Sequence, residues 1–491
     1  MTISKISSKL EANRVKELDY LLTQLKPLIL SHIAKSTDFD AKVDTRATPQ
    51  ELAKLVPLET PKRGYGQEGV YGIFEQVLNN SVVTWHPGFL DKLYASTNPI
   101  GVVSDLLLSL LNTNSHVYTV SPILTLIEKK VSNSYAQLFG YEGQYAGGLT
   151  FAGGSWSNVT SLHIARSMLF PDTKTNGNDG YKFAVYTSAH SHYSVEKAAI
   201  LLGFGSKNVF KVGINAEGVM DVADLDRKIE LSKEQGFTPL YVNGTAGTTV
   251  FGSFDPFDEI AEVAKKHNIW FHVDGSWGGN VVFSAKHRYK LKGIEKADSI
   301  TANPHKMLGV PTTCSFLLLP DERVFQTANS LEAPYLFHND TSDDTFYDLA
   351  DGTMGCGRRA DALKLYLGWY YYGQEGYEER INHAFQITEY FANKVAEDSR
   401  FQLVSTNPPP ALQVCFYYNK NGQFQDAQHN TATTRSIVET LHREGRFLID
   451  YSPAQGVDGG EFFRVVFVSP NVDSALVDEL YEAIINAGLS L

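Results

Sequence analysis

Apolar residues recur three and four positions apart at Val15, Leu18, Leu22, Leu25, Ile29 and Ile33, which predicts an amphipathic helix over 12–36 that Pro27 kinks or divides. The stretch 45–66 that follows is polar and proline-bearing, so the stripe is expected to dock on the main body or on a second subunit. From about residue 100 to 375, helical periodicity alternates with short apolar runs at Phe183–Tyr186, Leu240–Val242, Ile269–Val273, Ser299–Ala302 and Ser315–Leu319. That alternation predicts an α/β fold with a mostly parallel, helix-covered sheet, whose ligands gather beyond the carboxyl ends of the strands. Beyond about residue 376 the order becomes helix, strand, helix, strand (Phe462–Val468) and a last helix, Ala475–Asn486, ended by Gly488: a small α+β unit. Residues 172–180 read as a solvated loop, and Asn407 to Pro410 as a break inside the last unit. The expected division is a helical segment 1–95, a large domain 96–375 and a small domain 376–491.

Composition narrows the class. The chain has 491 residues, 43% apolar and 20% charged, which suits an ordinary folded protein of more than one unit. A net charge of −12 without a basic run gives phosphate backbones nothing to bind, so nucleic acid is not an expected partner. Residues 1–10 lack a signal peptide's apolar core, and Val102 to Leu111 is broken by Ser104, Asp105 and Ser109, so neither export nor membrane insertion is expected. Three cysteines without a C-x-x-C pair fit a cytoplasmic protein and no metal site.

The candidate chemistry sits at strand ends. Asp274 follows a fully apolar strand, where a carboxylate needs a cationic partner or caps the loop Gly275–Asn280. Lys306, in Asn303-Pro304-His305-Lys306, is either a surface lysine or an amine buried enough to react while neutral. Together they are what pyridoxal phosphate asks of a protein: a partner for its ring nitrogen and an anchor for its aldehyde. His190 or His192, after Phe183–Thr187, could stack on a planar ring. Two glycines at 153 and 154 before a helix form either a tight turn or a phosphate site using the amides of Ser155 and Trp156. Residues 334–357 have a lid's composition, with Tyr335 and Tyr347 as candidate acids, and Arg464 inside an apolar strand calls for a substrate carboxylate or an internal Asp.

His272-Val-Asp-Gly-Ser-Trp-Gly-Gly279 and Asn303-Pro-His-Lys-Met307 together resemble the group II pyridoxal-phosphate decarboxylases, most closely the glutamate, cysteine sulfinate and aspartate 1-decarboxylase branch, from about His86 onward. The resemblance implies the aspartate-aminotransferase fold (fold type I), pyridoxal 5'-phosphate as cofactor and a homodimer with active sites at the subunit interface. Residue by residue, it implies Lys306 as the Schiff-base lysine, Asp274 as the ring-nitrogen partner and His192 as the stacking histidine. It places Gly154, Ser155, His305, Asn303 and Thr245 around the cofactor, Tyr347 as the catalytic-loop tyrosine and Arg464 on a substrate carboxylate.

The implied reaction is α-decarboxylation of an acidic L-amino acid (glutamate, aspartate or cysteine sulfinate) to an amine and carbon dioxide. The resemblance puts Lys92, Tyr94 and Asn114 at the substrate, and here the chain departs from its relatives. Lys92 stands where glutamate decarboxylases have glutamine and Tyr94 where they have a small residue; an aromatic at position 94 resembles cysteine sulfinate decarboxylase, whereas Asn114 resembles glutamate decarboxylase. A bulky Tyr94 shortens the pocket toward a C4 acid whose distal anion Lys92 could pair. Gly275-Ser276 replaces the usual Ala-Ala. The alternatives are another PLP enzyme, such as an aromatic amino acid decarboxylase or a transaminase, and a silent scaffold on the same fold.

Overall fold

The computed structural model describes residues 14–38, 40–44, 47–331 and 346–491. Seven strands form the principal sheet: β1 (Gly147–Phe151), β2 (Phe183–Ser188), β3 (Val209–Val212), β4 (Thr238–Thr245), β5 (Trp270–Gly275), β6 (Ser299–Ala302) and β7 (Ser315–Leu319). Their order is β1-β7-β6-β5-β4-β2-β3. Neighbours from β3 through β6 are parallel, while β7 runs antiparallel to both β6 and β1. Strands β2 and β7 are buried along their whole length, as expected for a sheet covered on both faces. Parallel pairing puts Ser188, Thr245, Asp274 and Ala302 at one edge, and the chemistry gathers there.

A second, antiparallel sheet runs in the order β10-β11-β9-β8, built from β8 (Phe401–Leu403), β9 (Gln413–Tyr418), β10 (Asp450–Ser452) and β11 (Phe462–Val466). Helices Ala427–Glu444 and Ser474–Leu489 pack on it through Ile437, Leu441, Leu476 and Ile484. Asp426 and Asp473 cap their first turns, each accepting an amide hydrogen at 2.9 Å. The helix Ala362–Glu397 runs from one sheet to the other and turns sharply at Gly373, whose φ of 67° favours glycine.

Several expectations change. The N-terminal helix, Arg14–Ala34, runs through Pro27 undivided; it packs beside helix Gly66–Asn79, yet no residue of either is fully buried. The last helix continues past Gly488, because that glycine lies against Tyr418 and serves close packing, not a stop. A short helix, Thr173–Asn176, forms within the expected loop 172–180. No described helix is long and apolar enough to cross a membrane.

Candidate active site

A cavity of about 220 Å³ opens beyond the carboxyl ends of β2, β4, β5 and β6. Lys306, Asp274, His192, Thr245, Asn303, His305, Gly154 and Ser155, all expected from the sequence, line it together. Parallel strand ends supply Thr245 and Asp274, which pair directly in the β4–β5 register. The turn after β6 supplies Asn303, His305 and Lys306.

Asp274 caps the loop after its strand and keeps its other oxygen beside the cavity. Its Oδ1 accepts the Ser276 amide at 3.0 Å, capping the loop, and its Oδ2 accepts Asn158 Nδ2 at 2.8 Å beside the cavity. Burial pushes this carboxyl up, but hydrogen bonding from Ser276 and the facing His192, Lys306 and His272 overcome that and hold it below the usual carboxylate value. Burial also lowers the Lys306 amine, with Asp274 opposing, so a neutral nucleophilic amine becomes more accessible at moderate pH. His192 is lowered by burial too, and its Nδ1 accepts the Ser194 amide at 3.2 Å. His190 points elsewhere: its Nε2 lies 2.9 Å from the Gln455 carbonyl and its ring packs on Phe251. Of the two imidazoles, His192 is the one at the cavity.

The helix Gly154–Leu169 begins at the cavity wall behind Gly153, whose φ is +112°. No side chain caps it, which leaves the Gly154 and Ser155 amides to meet an anion. Trp156 does not join them, since its amide donates to the Gly153 carbonyl at 3.0 Å. A Cβ added at Gly154 would stand 2.5 Å from Ser276 Oγ and 2.7 Å from Asn303 Nδ2, so this side chain has to be absent for the cradle to stay open.

The remaining expected residues do not line this cavity. Arg464 adjoins it: Nη1 donates to the carbonyl of Thr249, a cavity residue, at 3.2 Å. Its anionic partner is Asp450, at 2.7 Å from Nη2. Lys92 meets the same Asp450 at 3.1 Å and Asp91 at 2.9 Å, and Tyr94 packs against Phe89 while 41% exposed. Asn114 and Tyr347 belong to a separate patch. Asn114 Oδ1 accepts the Arg358 amide at 2.8 Å, Asp348 accepts the Tyr118 amide, and the Tyr118 and Tyr347 rings lie 5.6 Å apart. Tyr335 and the first part of the expected lid lie outside the described residues.

Sequence reasoning missed the supports. Asn158 donates to Asp274 and to Ser194 Oγ, while its Oδ1 lies 3.1 Å from His272 Nε2, which in turn rests on Ser299 through Nδ1. Two spacings held that signal: Asn158 is four residues after Gly154 on one helix face, and His272 is two before Asp274 on one strand face. Trp277, buried at the cavity, donates to Gln413 of β9 and so ties the two sheets together beneath the site.

Residues 49–419 match the pyridoxal-dependent decarboxylase conserved domain. The chain belongs to the pyridoxal-dependent decarboxylase family. It is 47% identical over 473 residues to the L-aspartate decarboxylase dtxS4 of Metarhizium robertsii, a match covering 92% of this chain and 93% of that one. Among solved structures, mouse CSAD shares 33% identity with a TM-score of 0.90, over 96% of this chain and 99% of that one. The Oryza sativa TDC solved with PLP and tryptamine has a TM-score of 0.89 over 97% and 98% of the two chains; at 23% identity it speaks for the fold alone. The protein is therefore a carboxy-lyase of the group II, glutamate decarboxylase and CSAD branch, with the type I fold and pyridoxal phosphate as its cofactor. The cavity fits that group. It offers free helix amides for a phosphate, a buried carboxylate for a ring nitrogen and a lysine of lowered pKa, and the buried Asn303 Oδ1 has no hydrogen-bond partner among the described residues.

Proposed function

We propose that this decarboxylase acts on a four-carbon acidic L-amino acid, L-aspartate first, releasing carbon dioxide and β-alanine. The observation that carries this reading is the gathering of two cations, Arg464 and Lys92, at Asp450 against the cavity residue Thr249, with Asp91 as the second partner of Lys92. A diacid presents two anions to such a pair, and a neutral or aromatic side chain presents one. The 47% identity to an L-aspartate decarboxylase supports the same choice. Tyr94 lies outside the cavity of its own chain, and its support for the shorter acid rests on the resemblance, which puts this bulky residue at the substrate.

When bound, pyridoxal phosphate supplies an aromatic ring that accepts the electron pair left by departing carbon dioxide. The chain's own groups do the rest. Lys306 holds the cofactor through its amine, and Asp274 keeps a proton on the ring nitrogen, steadied by Asn158 and His272. His192 would cover the ring, the Gly154 and Ser155 amides with His305 would hold the phosphate end, and Thr245 and Asn303 would make further contacts to the cofactor. Arg464 orients a substrate carboxylate, and Tyr347 delivers a proton to the substrate Cα. Because Tyr347 and Asn114 gather away from the cavity of their own chain, the active unit in this proposal is a homodimer. The exposed Val102, Val103, Leu106 and Leu110 of helix Pro99–Leu111 offer a second copy an apolar face.

The test is a panel of aspartate, cysteine sulfinate, glutamate, DOPA and tyrosine with product identification. β-Alanine should dominate, and Tyr94→Gly should move the aspartate-to-glutamate ratio of kcat/KM toward glutamate by about tenfold, the worth of one methylene. Preferred turnover of DOPA or tyrosine would overturn the proposal.

A further inference from the structure

Asp450 stands where two cations meet. The register of β10 on β11 sets it directly opposite Arg464, and its Oδ2 lies 2.7 Å from Arg464 Nη2. Lys92 shares that same oxygen at 3.1 Å and reaches Asp91 at 2.9 Å. Each cation is thus matched by a carboxylate, and with both acids ionised the cluster has no surplus positive charge to offer an incoming acid.

The members of this cluster are not held equally. The Arg464 side chain is 8% exposed and has two acceptors besides Asp450: Nη1 donates to the Thr249 carbonyl at 3.2 Å and Nη2 to the Asp91 carbonyl at 3.0 Å. Those two carbonyls keep the guanidinium beside the cofactor cavity, which Thr249 lines, whether or not Asp450 stays. Asp450 lies on the short edge strand β10 with its side chain 27% exposed, and its Oδ1 takes only the amide of the next residue, Tyr451, at 2.9 Å. A carboxylate beside water leaves a cation at low cost, whereas a buried arginine stays with its acceptors.

We propose that Asp450 is a specificity-determining residue: it keeps the place on Arg464 and Lys92 that a substrate carboxylate takes, and yields it when an acidic ligand enters. This rests on the reading that Arg464 and Lys92 meet the substrate. An acid exchanges one anion for another and leaves the cations paired. A ligand with a neutral end has no charge to exchange and leaves Asp450 in place, so the cluster rejects it.

Calorimetric titration of the cofactor-loaded enzyme with succinate, and with succinamide as the neutral control, tests this. Asp450→Asn removes the competing charge and keeps the side chain's shape, so it should tighten succinate binding by about tenfold without tightening succinamide. In an Arg464→Gln background the same change should bring no gain; should that variant fail to fold, Lys92→Gln, at a more exposed position, supplies the background and should shrink the gain. Succinate binding that is unchanged, weaker or absent in Asp450→Asn, an equal gain for succinamide, or the full gain in the second background would overturn the inference. Equal succinate affinity in wild type and Arg464→Gln would refute the placement of Arg464 at the substrate, and the inference with it.

Discussion

At the scale of single residues, burial and donor placement divide the labour between acid and base. Asp274 is kept ionised in a buried setting, and Lys306 is eased toward its neutral form by the same setting. Tyr347 carries the sharpest residue-level prediction. Removal of its hydroxyl in Tyr347→Phe should cut amine formation by about 10²–10⁴-fold, the range of a lost general acid. Without that donor the product partition should shift from the amine toward an aldehyde and the aminated cofactor; an unchanged partition would refute the role. Mixing Tyr347→Phe with Lys306→Ala chains separates the location of that hydroxyl from its chemistry. If each site draws Tyr347 from the opposite chain, half the random dimers hold one intact site and about a quarter of wild-type activity returns. If Tyr347 serves its own chain, none returns.

At the scale of elements, the strand ends and the start of helix Gly154–Leu169 position the whole cradle. Gly154→Ala should raise the apparent Kd for pyridoxal phosphate by about tenfold or more, because its Cβ displaces Ser276 and Asn303, while leaving the melting of the cofactor-free protein almost unchanged. Absorbance titration checks the first half and calorimetry the second; unaltered affinity would show that the cradle has slack. Strands that are apolar throughout were legible in the sequence: β6 and β7 have the bounds that periodicity predicts, and β2, β4 and β5 differ by a few residues at their ends. Strand β1 was not, since Gly147 and Gly148 carry no β-propensity and the strand exists because β7 pairs with it. Strand β3, interrupted by Lys211, was missed for a similar reason. Among the cavity residues, Asp274, Asn303, His305 and Lys306 were legible because they sit in two short motifs, Gly154 and Ser155 through a glycine pair before a helix, His192 after an apolar strand, and Thr245 through the family resemblance. Asn158 and His272 were not singled out, because their value lies in hydrogen bonds to each other and to Asp274 that only the folded sheet creates.

At the scale of the whole molecule, a buried histidine couples folding to pH. His287 is 3% exposed and stacks on Phe385 of the helix joining the two sheets, with ring centroids 3.8 Å apart. Burial, then Lys286 and Lys290, lowers its pKa from 6.5 to about 4. Between these values the unfolded chain binds a proton that the folded chain refuses, so this histidine's contribution to stability falls as pH drops from about 6.5 toward 4. His287→Gln should therefore lower Tm at pH 7.5 yet flatten the decline of Tm on acidification. An equal decline in both proteins would remove His287 from the account. The central claim concerns the cofactor's anchor, and borohydride reduction of the cofactor-loaded enzyme followed by peptide mass mapping tests it most directly. The account predicts a reduced pyridoxyl adduct on Lys306; an adduct on another lysine, or none, would contradict it.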